Sequence, residues 1–164
     1  MAKIERIGYG QVEPNHLSAQ RTAQIYAQLP CEDSIEVLEN GQFVKYDYAN
    51  KEVNLTGKGE WMLVFNEIKL YDDRKQMYRD FAMKKEECVN GEIVPRVFKT
   101  NIGDIYTTNM VDSSVDITEG ALLKVGTNGI LTTGGSLSDD MCWEVAMVYT
   151  LADGQPAIKI MRVK

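Results

Sequence analysis

The side chains in this chain that could do chemistry are few and poorly spaced for it. Its 164 residues include one histidine, His16, and three cysteines, Cys31, Cys88 and Cys142. His16 lies in a stretch interrupted by glycine and proline, so a Ser-His or Cys-His pair would have to take its base from outside the folded core. The cysteines are odd in number and far apart, without the close pairs of a zinc knuckle or redox motif, and read as three reduced thiols. Cys142, beside Trp143 in an apolar run, reads as a small packing hydrophobe. Gly126, Gly129, Gly134 and Gly135 have hairpin spacing and lack a following helix whose N-terminus would hold a phosphate. Carboxylates are the best enzymatic alternative, because glycoside hydrolysis needs only two acids across a cleft. Glu60, Glu67, Asp104 and Glu144 sit near β segments, yet with 24 acids in the chain such proximity arises by chance. Asp139-Asp140 lacks the alternate-position ligands of a calcium loop. The expectation is a protein with no catalytic residue, no metal and no cofactor.

The elements available to position these groups read as mainly β. Asn40-Gly41 between residues 35–38 and 43–48, Asn128-Gly129 between 122–125 and 130–132, and Asp153-Gly154 between 143–151 and 157–164 are tight-turn signals between β-prone runs. Residues 49–51 turn the chain before 52–55, and residues 61–65 form a short apolar run suited to a buried strand. In residues 157–164 the alternation predicts one covered face and one wet cationic face carrying Lys159, Arg162 and Lys164. Between the β-rich stretches, Asp73 and Gln76 have capping-box spacing, Met77, Tyr78, Phe81 and Ala82 share one helical face, and Asn90-Gly91 supplies a stop. A helix over residues 74–87 follows.

The chain also resembles itself at an offset of about 80 residues, a pattern that constrains architecture before any single element does. Gln24-Ile25-Tyr26 aligns with Asp104-Ile105-Tyr106, Gly41 and Lys45 with Gly120 and Lys124, and Trp61 with Trp143. The predicted fold is therefore mainly β with one α-helix, two similar β lobes of small barrel or sandwich type packed together, and an extended N-terminal arm. The divisions are residues 1–20 for the arm, 21–72 for the first β repeat, 73–98 for the helical connector and 99–164 for the second repeat. Two tandem lobes and one pseudo-symmetric barrel both satisfy the pattern. In the arm, Gly8, Gly10 and Pro14 oppose regular structure, leaving Tyr9, Val12, Pro14, His16, Leu17 and Arg21 as candidate contact residues. The Lys159, Arg162 and Lys164 face is the second choice.

Composition bounds the function. The net charge of −6 and the sequence pI of about 4.9 disfavour a nucleic-acid groove, which needs concentrated Lys and Arg. An apolar content of 44% with 26% charged residues is that of a globular chain. The first six residues lack a signal-peptide core and no stretch reaches the roughly 18 apolar residues of a membrane span, so synthesis in the cytoplasm and no membrane partner are expected.

Four stretches of text carry a resemblance. Gly8-Tyr9-Gly10-Gln11-Val12-Glu13-Pro14-Asn15-His16-Leu17-Ser18, Phe65-Asn66-Glu67-Ile68-Lys69-Leu70-Tyr71, Lys99-Thr100-Asn101-Ile102-Gly103-Asp104-Ile105-Tyr106-Thr107-Thr108-Asn109 and Asp153-Gly154-Gln155-Pro156 together resemble head auxiliary proteins of tailed bacteriophages that infect Gram-positive bacteria. The resemblance implies a capsid decoration or cement protein. Such a protein is a small β-rich body on the outer surface of the virion, made in the host cytoplasm, with an arm engaging the major capsid protein and possible self-association on the lattice. Two other classes stay open: a ligand- or carbohydrate-binding module using aromatics such as Tyr46 and Tyr48, and a carboxylate-dependent hydrolase.

Overall fold

The computed structural model describes residues 2–14, 17, 24, 28–66 and 82–164. Among these the chain is mainly β, in antiparallel sheets of six, two and four strands, with no α-helix and no closed barrel. The strands are β1 (Val12–Glu13), β2 (Val37–Glu39), β3 (Phe43–Asp47), β4 (Glu52–Asn54), β5 (Met62–Val64), β6 (Ala82–Lys84), β7 (Val97–Phe98), β8 (Ile105–Thr108), β9 (Leu122–Val125), β10 (Leu131–Thr133), β11 (Trp143–Thr150) and β12 (Pro156–Arg162). The four-stranded sheet runs β4-β3-β5-β7, the six-stranded sheet β1-β8-β12-β11-β9-β10, and β2 pairs only with β6.

The turns form where local chemistry demands them. Gly41 at φ 92° and Asn128-Gly129 at φ 61° and 70° occupy the left-handed region that glycine and asparagine tolerate best. Asn128-Gly129 joins β9 to β10, and residues 151–155 join β11 to β12, both as antiparallel hairpins. Asn40-Gly41 turns the chain as expected, but the strands on either side do not pair with each other: β2 goes to β6 and β3 goes to β5.

The four-stranded sheet and four strands of the larger one share order and register. Read from its β10 edge, the large sheet runs β10-β9-β11-β12, matching β4-β3-β5-β7. Val44 opposite Met62 corresponds to Leu123 opposite Trp143, and Lys45 opposite Asn54 to Lys124 opposite Thr132. The Gly41 N–H donates to the Val64 carbonyl at 2.9 Å, and the Gly120 N–H to the Val145 carbonyl at 2.8 Å. Even the isolated parallel bridges correspond, Cys31 to Val53 and Val111 to Leu131. Trp143 occupies the register place of Met62 rather than Trp61, one residue away from the alignment read in the sequence.

Two apolar clusters sit on these sheets. The smaller is built by the first half from Leu38, Val44, Tyr46, Val53, Met62, Val64, Ile93 and Val97. The larger gathers Tyr106, Leu123, Leu131, Trp143, Val145, Ile158 and Ile160 from the second half, and is joined by Phe43, Leu63 and Phe98 from the opposite face of the first sheet. The Trp143 ring meets Tyr106 edge-on at 5.1 Å and Phe43 at 6.0 Å. This face-to-face burial is what unites the two halves.

Two sequence expectations change. Residues 82–87 of the expected helix are instead strand β6 and a three-residue 3-10 turn, Lys85–Glu87; pairing with the otherwise unpartnered β2 overrides helical periodicity there. Residues 74–81 lie outside the described residues. The second change is the N-terminal arm, which is packed into the body. Ile4 is fully buried, Val12 and Leu17 nearly so, all three in the larger cluster. Ala2 bridges Ile117, and β1 lies along β8 at the edge of the six-stranded sheet. The divisions shift accordingly, since β7 belongs to the first sheet rather than to a connector.

Candidate functional site

The N-terminal segment is held by a set of buried polar side chains from distant parts of the chain. Asn109, fully buried just past the end of β8, accepts the Gln11 N–H at 2.7 Å and turns its amide toward the Gln155 Oε1 at 3.2 Å. Gln155, in the β11–β12 turn, accepts the Ile7 N–H at 2.8 Å and is itself fixed by Asp153, whose carboxylate receives the Gln155 backbone N–H at 3.0 Å. Glu39 accepts the Gly10 N–H at 2.9 Å and pairs with Arg6. The Thr108 hydroxyl donates to the Gln11 carbonyl at 2.7 Å. A β-carbon on Gly10 would press on Met110 Cε and on the Asn40 carbonyl oxygen at 2.5 Å, so the strap passes where only glycine fits.

Below this crossing, Asn40 and Asn66 substitute for a missing strand partner. Asn40 Oδ1 accepts the Asn66 N–H at 2.7 Å, its amide donates back to the Asn66 carbonyl at 3.2 Å, and Asn66 Oδ1 accepts the Arg96 N–H at 2.8 Å. Buried backbone groups that no ladder serves are thereby satisfied. Sequence reading missed Asn40, Asn66, Asn109 and Gln155 in this role. The available signal was an amide residue directly after an apolar strand, at Asn66 and Asn109.

Of the candidate contact residues, Val12 and Leu17 are core, Tyr9 is half-buried with the Lys84 ammonium 5.6 Å from its ring, and Pro14 is exposed. His16 and Arg21 lie outside the described residues. On the second-choice face, period two sets Lys159 opposite to Arg162. Arg162 points inward at 7% exposure, with its guanidinium on the Thr100 carbonyl and hydroxyl and on Glu60 at 2.9 Å. Lys159 reaches the Tyr149 ring at 5.4 Å, and Lys164 is half-buried. These three residues therefore do not make one wet cationic face.

The acids are not brought together as a catalytic pair. Glu60 is neutralised by Lys99 at 2.7 Å and Arg162, Asp104 accepts the Asn101 N–H at 2.7 Å, Glu144 lies on β11, and Glu67 is outside the described residues. Asp139 caps Ser136 at 2.7 Å while Asp140 approaches Lys45 at 3.8 Å. No group of three or more His, Cys, Asp or Glu side chains that could hold a metal occurs among the described residues. Tyr46 and Tyr48 stack at 5.4 Å, and Tyr48 is largely exposed.

Beside the strap is an open polar cleft of ≈ 840 Å³, walled by Glu5 and Arg6, by the turn at Asp112, and by Lys124, Asn128 and Thr132 of the β9–β10 hairpin. The Asp112 carboxyl titrates below its usual range because the Ser114 hydroxyl and backbone N–H both donate to it. It stays an anion facing Lys124 across the cleft's polar wall.

No family model, no curated protein and no solved structure matches the chain.

Proposed function

We propose that this chain is a structural virion protein that binds the outer surface of a phage capsid and stabilises it, built from two copies of one β unit whose second copy is capped by the back of the first. The observation that carries the reading is convergence. The four stretches that resemble phage head auxiliary proteins are scattered from residue 8 to residue 156, yet Gln11, Asn109, Asp153 and Gln155 from three of them meet in one hydrogen-bonded cluster, and Asn66 from the fourth is tied to Asn40 beside Gly10. Text that matches by accident has no reason to converge in space. The matched strand order and register of the two sheets support the duplication.

With Val12 and Leu17 committed to the core, the shell contact falls to the outward ridge of the strap, where Ile7 is 65% exposed beside Gly8, Tyr9 and Pro14. An apolar side chain held rigidly on an anchored backbone loses little conformational entropy on docking. The test is co-sedimentation of the purified chain with heads assembled from the major capsid protein encoded beside it. Saturable binding of the wild type and at least tenfold weaker binding of Ile7→Asp are expected. Absence of wild-type binding rejects the decoration reading; undiminished binding by Ile7→Asp rejects only the ridge.

The polar cleft favours a second reading, a module for a small hydroxyl-rich ligand, because it offers a carboxylate, an ammonium, an amide and a hydroxyl at Asp112, Lys124, Asn128 and Thr132. A glycan array probed with wild type and with Lys124→Ala separates the two: glycan binding lost in the variant supports the module.

A further inference from the structure

Cys31 and Cys88 lie far apart in sequence but against the same apolar cluster of the first half. Cys31 is held in place from two sides. It bridges Val53 at the edge of β4, and its N–H donates to the Ile93 carbonyl at 2.7 Å. Cys88 stands where two 3-10 turns meet, Lys85–Glu87 and Val89–Gly91, neither of which buries a residue. Its thiol donates to the Lys84 carbonyl at 3.1 Å. Burial first, and then the neighbouring Cys88 sulfur, push the Cys31 thiol up to about 12, which places the two sulfurs within each other's field. Cys142 belongs to the opposite half and is fully buried beside Trp143.

We propose that Cys31 and Cys88 are a latent disulfide pair, which a low-molecular-weight disulfide such as oxidised glutathione converts into an intramolecular bond that staples residues 82–93 over the first core. The half-exposed Cys88 reacts first. Its thiolate attacks one glutathione sulfur, an S–S bond forms, and one glutathione leaves as thiolate and takes up a proton. Cys31 then gives its proton to solvent base and attacks the Cys88 sulfur, releasing the second glutathione. In sum, two protein thiols are oxidised and one glutathione disulfide is reduced to two glutathione thiols. The Cα atoms must reach the separation a disulfide allows, and the unburied turns on either side of Cys88 are the part of the structure able to adjust. The chemistry stands independently of the capsid reading.

The experiment uses the full chain, reduced and then exposed to glutathione disulfide near pH 8, quenched in acid, alkylated under denaturing conditions and analysed by intact mass and peptide mapping. The wild type should lose two hydrogens, yield one peptide pair linking Cys31 to Cys88, and retain an alkylatable Cys142. Cys31→Ser should stop with one glutathionyl group on Cys88, whereas Cys88→Ser should gain none on Cys31 in the same time. The oxidised wild type should also unfold at a higher temperature than the reduced form. A wild type that keeps glutathione on Cys88 without a cross-link, a bond involving Cys142 or a second chain, or no reaction at all overturns the proposal.

Discussion

Replacing Ile4 by alanine tests most directly whether the first residues belong to the body. Ile4 is fully buried in the larger cluster. The change removes three carbons, about 2.4 kcal/mol at roughly 0.8 kcal/mol per buried methylene, and a partly collapsed cavity adds about 0.5–1 kcal/mol. The sum, about 3 kcal/mol, corresponds to a fall of about 1.5 M in the urea midpoint if the denaturant slope is about 2 kcal/mol/M for a chain of this size. Tryptophan fluorescence is a suitable probe, since Trp143 is fully buried in the same cluster. Ile7→Ala is the internal control on the same strap: at 65% exposure it should shift stability by less than about 0.5 kcal/mol. If Ile4→Ala also falls below about 0.5 kcal/mol, the strap is not anchored through its side chains, and the placement of Ala2 against Ile117 does not describe the protein in solution.

Three further outcomes are expected. Gly10→Ala should cost about 2–3 kcal/mol in thermal or urea unfolding, because its β-carbon meets both Met110 and the Asn40 carbonyl. Tyr106→Phe should be neutral or stabilising by up to about 1 kcal/mol near pH 7, since the buried hydroxyl has no hydrogen-bond partner among the described residues. Burial holds the Tyr106 pKa well above its ordinary value, so the folded state binds that proton more tightly than the unfolded one. The resulting stability is complete below about pH 10 and declines as pH rises beyond it; unfolding followed from pH 9 to 11.5 should show Tyr106→Phe losing less than the wild type. Arg162→Ala should cost about 2–3 kcal/mol by denaturant titration, because it strips the Thr100 carbonyl of a donor and Glu60 of one of its two cations.

Local chemistry was readable wherever one or two residues decide the outcome. Asn128-Gly129 and Asp153-Gly154 gave their hairpins because positive φ at a tight turn is a property of those residues alone. Asn40-Gly41 turned as expected, but its neighbours' pairing was misread, since β2 finds β6 more than forty residues later and no local pattern encodes that choice. The same long-range pairing explains why residues 82–84 are strand despite helical spacing: Ala82 faces Glu39, and the backbone groups of β2 have no other ladder. The strap was misjudged because its glycines were read as disorder. At Gly10 the missing side chain serves a close approach to Met110 and Asn40, and Asn109 and Gln155, the groups that hold it, are invisible from residues 1–14. Arg162 was placed in solvent by counting charges along β12 instead of alternating them; Ile158, Ile160 and Arg162 share a face.

The strap joins the beginning of the chain to its end: Ala2 pairs with Ile117, and the Ile7 N–H waits for the side chain of Gln155, 148 residues later. A ribosome adding on the order of 5–20 residues each second needs roughly ten to thirty seconds to supply that partner. For all of that time Ile4 and Val12 are outside the nascent fold, and the edge of β8, once made, has no cover. Completion of the molecule is therefore a post-release event, the slow closure of contacts with the longest sequence separation in the chain. Any chaperone or protease that inspects newly made copies meets the N-terminus first and unprotected, so cellular yield should depend on how quickly the strap finds its seat.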